Sequence, residues 1–335
     1  MKRRVLFLSI ILLSVFCWTL FQKGNTYVVT NFGVTVPDIL SAVFNGSDIL
    51  RSHEGRINIL LLGIGGEEHE GGALTDTIII SSFSPTATPT AVLLSIPRDF
   101  WSPLLQDKLN SAYYYGEERK EGSGLAFAKT IIETETGVPL QYAMILDFSK
   151  FKEIIDAMGG ISVTIPQSFT DEHYPVPGKE TDECDGDPYF SCRFESVTFQ
   201  KGEEHMDGER ALQYVRSRHA EGDSGNDFSR GRRQQEILVA MKNKIVDKTV
   251  WSNPNALTHV FTVFRETVTT DMSLPEFIAL GKSLMPKAAH MTIDQVTLET
   301  ELQEAPIGMF GRFALIPIDT DEQFISAIRL KIWRP

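Results

Sequence analysis

Apolar residues in the first half of the chain form short continuous runs that alternate with amphipathic stripes. Residues 57–64 (INILLLGI) are apolar at nearly every position, as expected of a central strand covered on both faces. Further strands are predicted at residues 76–83, 91–96, 142–148 and 161–165. Helices are predicted at 124–135 and 149–158, the second from apolar side chains at helical spacing. This alternation predicts an α/β fold, a three-layer α-β-α domain with a mixed central sheet.

The remaining segments are less regular. A short helix is predicted at 39–44, inside a tether that carries no evident chemistry. Residues 166–202 are polar and acidic, and we interpret them as a disordered loop or a lid. Asp207 is the expected N-cap of a helix at 207–215. Beyond the next helix we predict a helix at 273–285, a closing strand pair at 292–302 and 313–318, and a terminal helix at 322–330.

The chain begins with a basic tail and a long apolar run. Lys2, Arg3 and Arg4 precede seventeen uncharged residues, 5–21, which are just long enough to span a bilayer. The run ends in bulky residues and lacks a small-x-small cleavage site, which favours a retained anchor over a cleaved signal peptide. By the positive-inside rule the tail is cytoplasmic. We therefore predict an N-terminal transmembrane helix in the cell membrane, single-pass, with the C-terminal domain extracytoplasmic.

Charge and cysteine usage narrow the possible partners. The formal net charge is −12 and the sequence pI is about 5.1, which argues against a nucleic-acid binder. Disulfides persist outside the cytoplasm, so Cys184 and Cys192 are predicted to pair, whereas Cys17 lies in the apolar run. A local basic patch in such an acidic chain indicates a pocket for a small anionic group.

That basic patch is residues 216–235 (RSRHAEGDSGNDFSRGRRQQ), with five arginines in twenty residues. Arg216 and Arg218 share a face only if the chain is extended there. In the helix expected from about Ser229, the apolar stripe traced backward meets Gln234 and Arg230, whose inward-facing polar groups require anionic or hydrogen-bonding partners. Arginine suits phosphate oxygens because its planar fork binds two at once. A solvated charged face is the alternative interpretation, and the inward phase favours a binding site.

Several motifs occur together in an order that resembles the LytR-CpsA-Psr family. They are NILLLG at 58–63, DT at 76–77, SIPRD at 95–99, KLNSAY at 108–113, DFSKF…IIDAMGGISVTI at 147–165, GERALQYVRSR at 208–218 and DFSRxxRQQ at 227–235. The N-terminal anchor also fits the family. The resemblance covers about residues 55–250 and does not extend over the C-terminal residues.

The resemblance implies a Mg²⁺-dependent transferase at the outer face of the cytoplasmic membrane. Such an enzyme moves a glycopolymer phosphate from a polyprenyl-pyrophosphate carrier onto peptidoglycan, a reaction that depends on positioning and charge neutralisation. The resemblance assigns the pyrophosphate contacts to Arg98, Arg216, Arg218, Arg230 and Gln234. It places the Mg²⁺ ligand at Asp76, and a sparse protein shell suits Mg²⁺ because substrate phosphates supply other ligands.

Two positions depart from the family pattern. Leu74 stands where the family has an arginine, and Gly65-Gly66 stands where it has an aspartate. Glu67 is a second candidate metal ligand, and a solvated loop glutamate is the alternative. Asp99 and Asp227 are each expected to orient a neighbouring arginine. His219 is interpreted as a loop residue.

We predict four segments: a basic tail and anchor at 1–21, a tether at 22–54, a catalytic domain at 55–250, and a C-terminal extension at 251–335 that packs on the same domain. Three functions stay open from sequence. The first is the transferase, with a polyprenyl-linked glycopolymer and a peptidoglycan acceptor as partners. The second is a polyprenyl-phosphate carrier without transfer, and the third is a pyrophosphatase or phosphatase acting on the same lipid.

Overall fold

The computed structural model describes residues 18–19, 21–26, 29–30, 34–65, 73–86, 89–179, 181–218, 226–247 and 254–333. In these ranges we find no helix with the length and apolar character needed to cross a membrane. The predicted anchor, residues 5–21, lies almost entirely outside them. The chain divides into two compact units, one comprising Met1–Arg51 and Met272–Pro286, the other Ser52–Asp271 and Lys287–Pro335.

The described helices and strands follow one another along the whole chain. The helices are α1 (Val36–Asn45), α2 (Ala112–Arg119), α3 (Gly124–Thr136), α4 (Phe148–Ala157), α5 (Gly208–Arg216), α6 (Asp227–Val246), α7 (Pro254–Thr267), α8 (Leu274–Leu284) and α9 (Asp321–Ile332). The strands are β1 (Ile57–Ile64), β2 (Thr75–Ser84), β3 (Thr90–Ser95), β4 (Trp101–Ser102), β5 (Asp107–Lys108), β6 (Tyr142–Asp147), β7 (Ile161–Ile165), β8 (Phe169–Pro175), β9 (Phe194–Phe199), β10 (Gly202–Met206), β11 (Val268–Thr270), β12 (Thr292–Val296), β13 (Leu302–Glu304) and β14 (Leu315–Pro317). Most predicted elements are confirmed to within a few residues.

The smaller unit contains α1 and α8. Helix α8 begins with a capping box, because the Ser273 hydroxyl accepts from the Glu276 backbone and the Glu276 carboxylate accepts from the Ser273 backbone. Arg51 pairs with the same Glu276, with Nε and Oε1 3.4 Å apart. The helices predicted at 39–44 and 273–285 are therefore both present.

A six-stranded mixed sheet forms the centre of the larger unit, in the order β11-β6-β1-β2-β3-β12. Strand β1 runs parallel to β6 and antiparallel to β2. Strand β3 is antiparallel to β2 and parallel to β12. The expected mixed central sheet is confirmed, and its middle strands are the apolar runs recognised in the sequence.

Helices cover both faces of this sheet. On one face Leu60 and Ile80, which are cross-strand partners, pack in one hydrophobic cluster with Ile328 of α9 and with residues of α3. Side chains alternate along a strand, so Gly63 faces the other side. There a Cβ at Gly63 would come within 2.7 Å of the Phe148 ring of α4, which explains why the strand has glycine at this close approach. The result is an α-β-α arrangement.

The interpretation of residues 166–202 as disordered is wrong. Strand β8 pairs with β9, strand β10 pairs with β7, and a Cys184–Cys192 disulfide lies in the loop between β8 and β9. In β9 the buried residues Val197 and Phe199 alternate with the exposed Thr198 and join a second hydrophobic cluster. The segment resembles a loop in sequence because most exposed residues of β8, β9 and β10 are polar or charged.

The prediction that residues 292–302 form one strand paired with residues 313–318 is also wrong. Strand β12 joins the central sheet beside β3, and the shorter β13 pairs with β14. A turn separates β12 from β13, since the backbone amides of Glu301 and Leu302 both donate to the carbonyl of Leu298. This turn divides what the apolar pattern presents as one strand.

Candidate functional site

The centre of the site is an ion pair between the start of β2 and the segment after β3. Because the two strands are antiparallel, with Ile79 opposite Ser95, the residues that precede Ile79 lie beside those that follow Ser95. Arg98 Nη1 is 2.5 Å from Asp76 Oδ1. The topology of this hairpin therefore joins the DT and SIPRD motifs in space.

Arg218 reaches the same carboxylate from the chain that follows α5. Ser217, the C-cap, has an extended ψ of 128°, so the chain leaves the helix as the sequence analysis requires. The backbone amide of Arg218 donates to Oδ2 of Asp171, a fully buried carboxylate in β8, at 2.8 Å. Its side chain then places Nη2 3.2 Å from Asp76 Oδ1.

Arg230 approaches from the first turn of α6. The Asn226 side chain caps this helix by accepting from the backbone of Ser229. Arg230 is only 4% exposed, and its Nη2 lies 3.1 Å from Asp227 Oδ1 and 3.3 Å from the carbonyl oxygen of Asp76. Its Nη1 is buried and has no hydrogen-bond acceptor among the described residues. The predicted inward direction is confirmed, and one strong donor is left available.

Two further carboxylates hold Arg98 from its other side. Asp99 Oδ2 and Asp227 Oδ2 lie 3.6 and 3.7 Å from Arg98 Nε, so both orient an arginine, as predicted. Lys108 Nζ is 2.6 Å from Asp99 Oδ1. Sequence reasoning recognised the KLNSAY motif but gave Lys108 no role, because only the β4–β5 hairpin brings it to Asp99.

The charges in this cluster nearly balance and shift one another's pKa values. Burial raises the pKa of Asp76, but the guanidinium groups of Arg218, Arg98 and Arg230 outweigh burial, and the pKa lies below its ordinary value. Burial lowers the pKa of Arg230 to about 10, and the charge of Arg218 adds to this effect. All three arginines are therefore protonated at neutral pH, while Asp76 is ionised.

A solvent-open pocket lies beside these charges. Its polar lining residues include Asp76, Arg98, Asp227, Arg230 and Gln234. Its apolar lining residues include Ile78, Ile96, Pro97 and Phe228. The space around these residues is about 300 Å³ and is continuous with solvent. A ligand with an anionic group beside an apolar chain matches this mixed lining.

The remaining predicted residues have different positions. Arg216 is the last residue of α5, and its charge acts on Tyr174 of β8, whose pKa burial raises to about 12. Its role at a pyrophosphate stays a prediction. Glu67 and His219 lie outside the described residues, as does Gly66. Leu74 immediately precedes β2 and brings no charge to the cluster.

Comparison with known proteins identifies the family. The LytR_cpsA_psr family model matches residues 30–312. The chain belongs to this family. The match includes Arg98, Arg218 and Arg230, which meet at Asp76 and are called the arginine cluster below. It also includes the segment that contains the disulfide and most of the C-terminal region that the motifs had left unassigned.

Curated relatives in the family are transferases. A polyisoprenyl-teichoic acid–peptidoglycan teichoic acid transferase, TagU of Bacillus cereus, is 24% identical over 297 residues, which is 84% of this chain and 84% of that protein. TagV of Bacillus subtilis, with the same activity in its name, is 29% identical over 230 residues, covering 67% of this chain and 51% of that protein.

Solved structures of family members share the fold. The crystal structure of B. subtilis TagV superposes with a TM-score of 0.59 at 24% identity, covering 84% of this chain and 98% of that chain. A structure described as TagT bound to LIIa-WTA gives a TM-score of 0.56 at 21% identity, covering 85% and 95%. The mixed α/β architecture is therefore that of the family.

Not every buried arginine near the cluster belongs to it. Arg233, one turn after Arg230, is also 4% exposed. Its guanidinium donates to the Ser217 carbonyl and lies over the Phe169 ring, 4.9 Å from the centroid. Nearby, the Tyr214 hydroxyl donates to Glu236 Oε2 at 2.5 Å. These contacts are to the protein's own backbone and core, which indicates a structural role.

The residues present fit a magnesium ion. Asp76 Oδ1 takes both arginine contacts, whereas no described residue is bonded to Oδ2, and the side chain is 31% exposed. One carboxylate oxygen open to a pocket lined by arginines could serve as the protein ligand of a Mg²⁺ ion whose other ligands are substrate oxygens and water. The predicted second ligand, Glu67, lies outside the described residues.

Proposed function

We propose that this chain transfers a phosphate-linked glycopolymer from a polyprenyl-pyrophosphate carrier onto peptidoglycan. The observation that carries the proposal is the convergence of Arg98, Arg218 and Arg230 on Asp76, in a pocket that apolar residues also line. Like charges are gathered in this way where an anion belongs between them. The names of the relatives specify polyisoprenyl-linked teichoic acid as donor and peptidoglycan as acceptor.

The charge of the site suits a pyrophosphate. Arg98, Arg218, Arg230 and Lys108 face the carboxylates of Asp76, Asp99 and Asp227, which leaves one net positive charge. The N-terminal end of α6, which carries Arg230, adds the partial positive charge of its helix dipole. A pyrophosphate diester brings two negative charges into this surrounding, and the arginines hold it by bidentate hydrogen bonds.

In the proposed reaction an acceptor hydroxyl loses its proton to solvent water, and its oxygen bonds to the phosphorus that carries the glycopolymer. The bond from that phosphorus to the bridging oxygen breaks, and polyprenyl phosphate leaves. The arginines stabilise the charge that develops on the phosphate oxygens and on the leaving group. Gln234, at the pocket wall, is the proposed hydrogen-bond donor to the same oxygens, and Arg216 is proposed to act from the end of α5.

We further propose that the enzyme depends on Mg²⁺ held by Asp76, with Glu67 as a second candidate ligand. When bound, the ion would neutralise phosphate charge beside the bond that breaks. Asp76 also aligns Arg98 and Arg218, so its substitution removes two functions at once.

The cellular placement is part of the same proposal. Residues 5–21 anchor the chain in the cell membrane, and residues from 22 onward are extracytoplasmic. A Cys184–Cys192 disulfide supports an oxidising compartment. A reporter fused after residue 30 should be active only outside the cytoplasm, and activity of a cytoplasm-specific reporter there would contradict the topology.

Transfer of labelled glycopolymer onto peptidoglycan is the decisive experiment. The full chain in vesicles, with Mg²⁺ and a labelled polyprenyl-pyrophosphate donor, should produce peptidoglycan-linked label. Arg230→Ala should bind donor weakly and transfer little, whereas Arg232→Ala, on the same helix but more exposed, should behave like the wild type. Release of label into water would instead indicate a pyrophosphatase or phosphatase.

The leucine at position 74, where the family pattern has an arginine, favours one second candidate. With one cation fewer, the chain could hold the lipid without transferring its cargo. Saturable donor binding with neither transfer nor hydrolysis would establish this carrier function. Leu74→Arg would then be expected to strengthen donor binding.

A further inference from the structure

The loop between β13 and β14, residues 305–314 (APIGMFGRFA), carries apolar side chains that face solvent. We call it the apolar loop. Ile307 is fully exposed, and Met309 and Phe313 are each more than half exposed. Single exposed apolar residues are common on proteins, but several at one loop tip mark a surface that contacts something apolar.

The apolar loop is held in place at its base, so its exposure is a property of a defined structure. The Phe310 ring stacks on Trp101 with centroids 3.8 Å apart. Arg312 Nη1 donates to Asp107 Oδ1 at 2.8 Å, and the backbone of Ala305 donates to that of Ala314 at 2.9 Å. These contacts fix the two ends and the middle of the loop.

The base of the apolar loop adjoins the arginine cluster. The backbone amide of Leu315 donates to the carbonyl of Asp99 at 2.9 Å. Lys108 Nζ lies 5.9 Å from the centre of the Phe313 ring and 2.6 Å from Asp99 Oδ1. Asp99, the residue that follows Arg98, thus accepts from the first residue after the loop, and its ion-pair partner Lys108 lies near the Phe313 ring. The base of the loop therefore adjoins the proposed phosphate site.

The apolar loop lacks the acidic residues that are frequent in the rest of this chain. Residues 305–318 contain no aspartate or glutamate and one arginine, while the whole chain has a net charge of −12. An anionic lipid surface repels acidic protein surfaces and attracts or tolerates a stretch without carboxylates. Aliphatic and aromatic side chains next to a cation are typical of loops and helices that enter the head-group region of a bilayer.

We propose that the apolar loop inserts Ile307, Met309 and Phe313 into the surface of a phospholipid bilayer. The loop then holds the arginine cluster at the level of the lipid head groups. This inference rests on the proposed function, since the pyrophosphate of a membrane-borne donor lies at that level. It adds a second, peripheral contact with the bilayer that is separate from residues 5–21.

Site-specific fluorescence tests the insertion. In a Cys17→Ser background, with the disulfide kept oxidised, Ile307→Cys is labelled with the fluorophore NBD, and the full chain is reconstituted into vesicles of phosphatidylglycerol and phosphatidylethanolamine. Leu330→Cys on α9, also apolar and 69% exposed, is the matched control. We expect blue-shifted emission and quenching by spin-labelled lipid at position 307 and neither at 330. No quenching at 307, or equal quenching at both positions, overturns the proposal.

Kinetics give an independent test. The double variant Ile307→Ser with Met309→Ser should raise KM for a long-chain donor in vesicles about a hundredfold, the lower end of the effect expected for removing two inserted aliphatic side chains. With a water-soluble short-prenyl donor it should match the wild type. An equal change with both donors would indicate that the loop contacts the substrate or a protein, and would overturn the proposal. If the wild type transfers from neither donor, the proposed function fails, while the quenching result still decides insertion.

Discussion

Arg230 and Arg233 lie three residues apart on α6 and are equally buried, but Arg230 lines a pocket and Arg233 lies in the core. Arg230 faces Asp76 and Asp227 and lines a solvent-open pocket. Arg233 faces the Ser217 carbonyl and the Phe169 ring inside a closed core. The first surrounding leaves binding capacity for a ligand. The second uses the cation to hold protein segments together.

Electrostatics sharpen the contrast. Burial lowers the pKa of both arginines. For Arg230 the next cause is repulsion by Arg218, which lowers the pKa further although Asp227 and Asp76 oppose it, whereas for Arg233 the carboxylates of Glu236 and Asp171 oppose the lowering. A cation that is repelled by its neighbours is relieved by an incoming anion. A cation that is already compensated gains little from one.

The largest predicted effect is the loss of stability when Arg233 is replaced. Arg233→Ala removes a cation from a closed core, leaves the Ser217 carbonyl without this donor and takes away a positive charge that compensates Glu236, so we expect a loss of about 3–5 kcal/mol in unfolding free energy. Thermal and urea unfolding of the solubilised full chain measure it. Arg232→Ala, which breaks an exposed pair with Glu299 and a long contact to Ser229 Oγ, should cost at most about 1 kcal/mol. Similar stability of the two variants would remove the distinction between Arg230 and Arg233.

Arg230→Ala should do the reverse. We expect transfer to fall about tenfold to a hundredfold, because one charged contact of about 1.5–3 kcal/mol is lost. Melting temperature should change little, since relief of the repulsion with Arg218 and Arg98 offsets the lost ion pair with Asp227. Arg230→Lys should fail nearly as badly, because a point charge does not reproduce a bidentate fork. Full activity, or destabilisation like that of Arg233→Ala, would contradict a binding role.

Sequence periodicity could not distinguish these two arginines. Residues 230 and 233 are about 60° apart on a helix, so both are predicted to face inward. The difference arises from what each one meets: Asp76 in β2 for Arg230, and Phe169 in β8 for Arg233. These contacts join residues that are far apart in sequence, and local patterns contain no information about them.

The fold was predictable where apolar patterns are unambiguous. Strands β1 and β7 match their predicted bounds because their burial follows directly from continuous or alternating apolar residues. The β8–β9 pair was missed because its exposed side is acidic, and the pairing of β12 was missed because register depends on β3. The arginine cluster was found from composition and motif order, whereas Asp171 and Lys108 act through tertiary contacts.

Asp171 interacts both with Arg218 of the cluster and with Arg233 of the core, and its substitution is the third prediction. It accepts from the backbone of Arg218, and its charge also acts on Arg233. Asp171→Ala leaves the Arg218 amide unsatisfied, which should cost about 1–3 kcal/mol and reduce transfer as Arg218 loses its position. Asp171→Asn keeps an acceptor and should recover most of the transfer. Equal loss in both variants would show that the charge, and not the hydrogen bond, positions Arg218.

The smallest predicted effect is a pH-dependent loss of stability when Asp76 is replaced. Because its folded-state pKa lies below the ordinary value of 3.8, the native state holds this proton less readily than the unfolded chain does. The carboxylate therefore stabilises the fold above about pH 4, and the contribution is lost as pH falls through the lower folded-state pKa. In the absence of donor and Mg²⁺, Asp76→Asn should be about 1 kcal/mol less stable than the wild type from pH 6 to 8, because the site is partly open to solvent. The difference should shrink on acidification, as measured by urea unfolding at pH 7 and pH 3. A stability difference that is constant over this range, or that grows at low pH, would show that the arginines do not depend on the charge of Asp76. The site would then resemble the closed core around Arg233 more than an open anion pocket.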